Sequence, residues 1–191
     1  PNQVLAYNGS GLIWTTPSGG SGSGWALSGN DPAANSFLGT TLGTSIPLEL
    51  RTKGQRAMLF QFNGTSPNVI GGYLENTVAA GLNGVTIAGG GAPSAGNSVS
   101  GSYGAILGGA WNRIGSGGTY SSIAGGYGNA VDITVNYSLI GGGNYNQLLS
   151  GANYSFIGGG QNNFIRTNAA YSTISGGSGN NIYDSSSYAT I

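Results

Sequence analysis

The chain has 191 residues, 39 of them glycine, and its 5 Lys/Arg balance 5 Asp/Glu to a formal net charge of zero. That excludes the basic footprint of a nucleic-acid binder and the Lys/Arg-rich face of a membrane-surface helix, and no apolar run approaches the ~20 residues needed to span a bilayer. Cys and His are absent, which removes the usual zinc sites, a thiol nucleophile and a Ser-His-Asp triad.

Strong helix formers are scarce, so strands are expected. The apolar content is too high and too periodic for a disordered Gly/Ser polymer. Val4-Leu5-Ala6-Tyr7 and Leu12-Ile13-Trp14-Thr15 flank Asn8-Gly9-Ser10-Gly11, the pattern of a hairpin. Pro17 to Gly24 is a flexible linker by composition. The first domain is thus a hairpin and linker, 1–24.

Residues 25–65 form a second β-hairpin module. Ile46, Leu48 and Leu50 alternate with polar residues, as do Met58, Phe60 and Phe62. A three-residue loop at Lys53-Gly54-Gln55 pairs Leu50 with Met58, Leu48 with Phe60 and Ile46 with Phe62, all on one face. A two-residue loop, Lys53-Gly54, splits the apolar set between faces, so the longer loop is expected. Arg51, Lys53 and Arg56 cluster at this turn as a solvated tip, with a partner-binding patch as the alternative.

From about residue 66 to 191 the chain is an array. Its frame, Y-S-x-I-x-G-G-x-x-N-x-I, runs from Tyr120 to Val131, Tyr137 to Leu148, Tyr154 to Ile165 and Tyr171 to Ile182, and begins at Tyr103 to Ile114. The anchors Ile106, Ile123, Ile140, Ile157, Ile174 and Ile191 are 17 residues apart. Looser copies surround Ile70 and Ile87, the second with extra residues at Ala92-Pro93-Ser94-Ala95. A fixed period of this size means a solenoid whose repeats stack on one another. In extended segments alternate residues share a face. Ser138 and Ile140 therefore point inward, while Tyr137 and Leu139 point outward. The position before the anchor varies (Ala105, Ser122, Leu139, Phe156, Thr173), as an outward face allows. The inward set is Ile106, Ile123, Ile140, Ile157 and Ile174 with Asn112, Asn129, Asn146, Asn163 and Asn180. The asparagines are expected to form a stacked amide ladder, each bonding its counterparts above and below. The Gly pair suits a bend at positive φ or a close backbone approach. The expected fold is all-β, a parallel β-roll or β-helix solenoid of 17-residue coils preceded by small hairpin units. With only two regular aliphatics per coil, burial against identical chains is expected too, in an oligomer.

Asn136-Tyr137-Ser138-Leu139-Ile140-Gly141 and its copies resemble the head repeats of trimeric autotransporter adhesins. The resemblance implies left-handed parallel β-rolls, three chains packed about one axis, which makes the expected oligomer a homotrimer. The repeat here is longer, and Gly-Gly replaces a single Gly. Gln3 to Trp14, Gly24 to Asn30, Phe37 to Thr41 and Pro47 to Arg51 are similar to segments of bacterial and phage fibre proteins. Many of these end in an endosialidase-type chaperone. The start at Pro1 and the stop at Ile191 in mid-repeat suggest a piece of a longer protein.

The five acids, Asp31, Glu49, Glu75, Asp132 and Asp184, are dispersed and none recurs at a fixed repeat position, which argues against a glycosidase pair. The Asp-bearing frame of a calcium β-roll, a flat Thr ladder for ice and the Gly-Lys-Ser/Thr of a phosphate loop are missing. Sequons at Asn8, Asn63, Asn136 and Asn153 arise partly from the repeat itself. Tyr103, Tyr120, Tyr137, Tyr154, Tyr171 and Tyr188 are expected to stack at one strand spacing, as a structural strip or a glycan-contact strip. No catalytic or metal residue, enzyme activity or cofactor is expected. The expected function is a non-enzymatic trimeric fibre or adhesin segment, extracellular, on a cell surface or on a virion, that spaces or displays a distal element. Its partners are itself and host-surface or matrix polysaccharide, without nucleic acid or membrane insertion. The alternatives are a carbohydrate-binding receptor module and a polymerising surface filament.

Overall fold

The computed structural model describes residues 4–7, 12–15 and 46–191. The linker 17–24, most of the 25–65 module and Asp31 lie outside them, as does the Asn8–Gly11 turn. The chain divides into two compact units, 1–41 and 42–191. In the first, β1 (Val4–Tyr7) and β2 (Leu12–Thr15) pair antiparallel, with Tyr7 opposite Leu12.

The second unit opens with β3 (Leu48–Thr52) and β4 (Gln55–Gln61), antiparallel. Leu50 faces Met58 and Leu48 faces Phe60, but not through a three-residue loop. The turn is Lys53-Gly54, with φ of 49° and 74°, the left-handed pair whose twist suits a two-residue hairpin. Thr52 pairs with Gln55 and Arg51 with Arg56, and a bulge leaves Ala57 unpaired. The bulge absorbs the one-residue offset that otherwise splits the apolar set between faces. Ile46 and Phe62 fall beyond the paired segment and are exposed. Two members of the Arg51–Lys53–Arg56 cluster are engaged within the chain. Arg51 pairs with Glu49 at 3.1 Å, and Arg56 Nη2 donates to the carbonyls of Tyr73, Leu74 and Asn76.

β4 then pairs antiparallel with β5 (Asn68–Gly71), and β5 pairs parallel with Thr86–Ile87. The pair expected in a separate 25–65 module is thus continuous with the solenoid through one sheet. That nine-stranded sheet continues through Ala105–Ile106, Ser122–Ile123, Leu139–Ile140, Phe156–Ile157 and Thr173–Ile174. A seven-stranded parallel sheet is built from the second half of each frame: Thr77–Val78, Ser98–Val99, Arg113–Ile114, Ala130–Val131, Gln147–Leu148, Phe164–Ile165 and Asn181–Ile182. Each coil contributes one strand to each sheet, two residues long everywhere but in β5, with equivalent residues in register. This is the all-β parallel solenoid, without helix among the described residues.

The core is a column of aliphatics from both sheets, Ile106 to Ile174 and Ile114, Val131, Leu148 and Ile165, all fully buried. A third inward position escapes the frame. Gly118, Val135, Ala152 and Ala169, at the looser corner, are buried as well. Their small size fits a narrow coil, since a large side chain there would overfill a close-packed interior.

Candidate functional site

The inward polar residues come first because they set the shape of the surface. Asn112, Asn129, Asn146 and Asn163 are fully buried, and Asn180 is half-buried. Asn129 Oδ1 accepts the Asn146 backbone N–H at 3.0 Å, and the same bond links Asn146 to Asn163. In most steps the amide Nδ2 donates to the neighbouring Oδ1 too, at 3.1 Å from Asn129 to Asn112 and 3.0 Å from Asn163 to Asn146. The amide also donates to glycine carbonyls, as from Asn129 to Gly125 and to Gly143 of the next coil. The ladder is therefore mixed: side chains bond to backbone as much as to each other, and what they hold is the Gly-Gly corner. There Gly126, Gly143 and Gly160 have φ of 86°, 90° and 88°. A Cβ on any of them would strike the carbonyl oxygen of the equivalent glycine one coil on. Both reasons for glycine operate at one residue.

Serine forms a second ladder, which the repeat frame alone does not reveal. Ser121 Oγ accepts from the Ser138 backbone N–H, Ser138 Oγ from that of Ser155, and Ser155 Oγ from that of Ser172. Each hydroxyl in turn donates to the carbonyl of a third-corner residue, Ser138 to Ala152 and Ser155 to Ala169. The inward Ser and Asn side chains of the two ladders are thereby bonded, as burial requires, whereas Asn144 Oδ1, outside the ladders, is buried without a partner.

On the outside, Tyr103, Tyr120, Tyr137, Tyr154, Tyr171 and Tyr188 form one column of exposed rings, with centroids 4.9 to 5.1 Å apart and planes within 12°. Each ring covers its neighbours' faces, so the strip offers edges and hydroxyls to solvent. At the lower end Gly84 lies against the Tyr103 ring, where any Cβ would collide with it. All six tyrosines sit at left-handed φ, between 55° and 61°. Only a few per cent of non-glycine residues adopt that conformation, and Asn or Asp is the usual occupant. Sequence propensity therefore hides this corner.

A second aromatic group was not legible in the frame. Trp111, Tyr127 and Tyr145 meet beside the seven-stranded sheet, Trp111 against Tyr145 edge to face at 5.9 Å and Tyr127 against Tyr145 at 5.7 Å. With Arg113, Gln147, Gly128 and others, Trp111 and Tyr145 line a shallow recess of about 340 Å³. Its sequence signal is a break in the periodicity, Trp111, Gly128, Tyr145 and Asn162 being the variable residues before each ladder asparagine.

The described acids are individually engaged. Glu49 pairs with Arg51, Asp132 with Arg113 at 3.6 Å, Glu75 accepts from the Ser94 backbone N–H and Asp184 from that of Thr167. Among the described residues no three His, Cys, Asp or Glu gather as metal ligands, and no helix is long and apolar enough to cross a membrane. The sequon residues Asn136 and Asn153 bond to each other along the stack, the Asn136 backbone N–H donating to Asn153 Oδ1 at 2.7 Å.

Set against known proteins, the chain matches no family model, no curated protein and no solved structure.

Proposed function

We propose that this chain is a segment of a non-enzymatic, homotrimeric extracellular fibre, of the adhesin-head kind, that spaces or displays a distal element. The observation that carries the reading is an asymmetry of charge. From Thr86 to Ile191 the only charged residues are Arg113, Asp132, Arg166 and Asp184. Each lies within, or one or two residues after, a strand of the seven-stranded sheet. The outer face of the nine-stranded sheet carries none over the same span, yet it leaves Leu107 57% exposed and Leu139 and Phe156 39% exposed. Interface cores are depleted in charge and enriched in aromatic and aliphatic contacts. Leu139 and Phe156 are neighbours in register, and exposed apolar side chains on a face without charge suit an interaction surface. Its repeat lies parallel to the stack, so identical copies about an axis along the stacking direction would bury it by equivalent contacts. Two carboxylates placed for acid–base chemistry are missing from the described surface, which suits a structural role.

Light scattering on the purified protein at dilute concentration is the test. A mass three times the 19.0 kDa chain supports the reading. A stable, folded monomer overturns it.

A further inference from the structure

The six tyrosines of the outer column are oxidisable phenols held at one spacing. Their rings are parallel within 12°, their centroids lie 4.9 to 5.1 Å apart, and each is at least 39% exposed. Stacking asks only for a flat ring, and an exposed edge for a polar tip. Together they give every phenol of the column a second phenol on the coil before it, the coil after it or both. Thiols, which would quench a phenoxyl radical, are absent from the chain.

The backbone keeps these neighbours in place. Tyr137 and Tyr154 donate their N–H groups to Thr119 and Asn136 of the preceding coil, and Tyr171 does the same to Asn153. A phenol held one coil away is present at an effective concentration that free diffusion does not reach. To bond through their edges two rings must turn about their Cβ–Cγ bonds, and exposed side chains rearrange in picoseconds to nanoseconds. Tyr183 supplies the contrast. It is 68% exposed, more than any column member except Tyr188, yet it belongs to no aromatic pair among the described residues.

We propose that the column is a site of oxidative cross-linking, at which hydrogen peroxide activated by a haem peroxidase joins tyrosines of successive coils as dityrosine. The peroxide takes one electron and one proton from each of two phenols and leaves as two waters. The two phenoxyl radicals form a C–C bond between ring carbons ortho to oxygen. The protons on those carbons are lost and the oxygens are reprotonated, so both hydroxyls survive. Each link closes a loop of 17 residues and staples one coil to the next, as a disulfide would. The bond lies within one chain, so the inference stands apart from the assembly of copies.

The test treats the whole protein, at dilute concentration, with a haem peroxidase and hydrogen peroxide, and maps links by elastase digestion and mass spectrometry. Two variants, both carrying Tyr145→Phe to remove the close pair Tyr127–Tyr145, keep three column phenols each. Tyr120→Phe with Tyr154→Phe and Tyr188→Phe leaves no two phenols on successive coils. Tyr103→Phe with Tyr120→Phe and Tyr137→Phe leaves Tyr154, Tyr171 and Tyr188 adjacent. Phenylalanine keeps the stacked ring, circular dichroism checks the fold, and the parental map decides by itself if a variant is unfolded. Dityrosine between successive column tyrosines is expected in the parent and in the second variant, on chains that run at single-chain mass in a denaturing gel. The first variant is expected to yield about tenfold less or lower still. The linked parent is expected to melt about 5 °C or more above the untreated protein. Absence of dityrosine from the parent, equal yields from the two folded variants, links through Tyr183 ahead of the column, links chiefly between chains, or an unchanged melting temperature would each overturn the proposal.

Discussion

The side-chain oxygen of Asn146 accepts two hydrogen bonds from Asn163, one from its backbone N–H and one from its amide, both at 3.0 Å. Asn146 Nδ2 meanwhile donates to Gly142 and Gly160. Asn146→Ala therefore leaves donors of the next coil and carbonyls of the corner unpaired in a buried site, which costs about 1–3 kcal/mol. Gln147→Ala, one residue on and facing outward, should change stability by less than about 0.5 kcal/mol. Thermal melts of the two variants check the contrast, and equal shifts would refute the assignment of faces.

The glycine corner makes a sharper comparison. Gly143 combines φ of 90° with a direct approach to Gly160, whereas a Cβ on Gly108 meets nothing within 4 Å. Gly143→Ala is expected to cost ~2–4 kcal/mol, and Gly108→Ala to be close to neutral. Denaturant titration of both variants measures the difference.

The tyrosine column predicts an inversion of a familiar rule. In strands glycine is ordinarily less stable than alanine by roughly 0.5–1 kcal/mol. Tyr137 sits at φ of 55° between Tyr120 and Tyr154. Removing its ring forfeits two stacking contacts in either variant, but alanine keeps the left-handed strain and glycine relieves it. Tyr137→Gly should therefore melt higher than Tyr137→Ala, by a difference worth about 1 kcal/mol. The reverse order would mean that the corner is not strained.

Assembly can be separated from folding. Phe156→Asp places a charge on the otherwise uncharged face without touching the core, so the chain should keep its β-sheet dichroism while its scattering mass falls toward that of one chain. Gln147→Asp, on the opposite sheet, should leave the mass as it was. If Phe156→Asp stayed at the parental mass, the apolar strip would not be the interface.

The coils were legible because inward residues recur with little variation: Ile140 and Asn146 show their role by period alone. Side-chain alternation also placed Leu50 opposite Met58, although the turn that achieves it was not legible. Nothing in Lys53-Gly54-Gln55 announces that Ala57 will bulge out of the ladder, because the bulge is settled by pairing on both sides of β4. The left-handed tyrosines were hidden for the opposite reason, since a residue type disfavoured in that conformation is held there by stacking across coils. Val135 and Ala152 went unseen because their column also contains Gly118 and Ser186, which share no chemistry beyond small size. The recess at Trp111 is invisible to a consensus, for it consists of departures from one.

Ala92 to Ala95 turn back on themselves through reciprocal backbone bonds between Ala92 and Ala95, in the one described coil with extra residues at this corner. Asn76 and Asn97 lie 21 residues apart rather than 17. The Asn97 backbone N–H still meets Asn76 Oδ1 at 2.8 Å, and Asn112 meets Asn97 at 3.0 Å. The stack thus counts coils, not residues, and surplus chain is expelled sideways without moving what lies beyond it. The corner after each Gly pair is in effect a socket. A peptide grafted between Pro93 and Ser94 would be carried at a fixed height along the rod, and a series of such grafts in successive coils would be spaced by the rise of the strands.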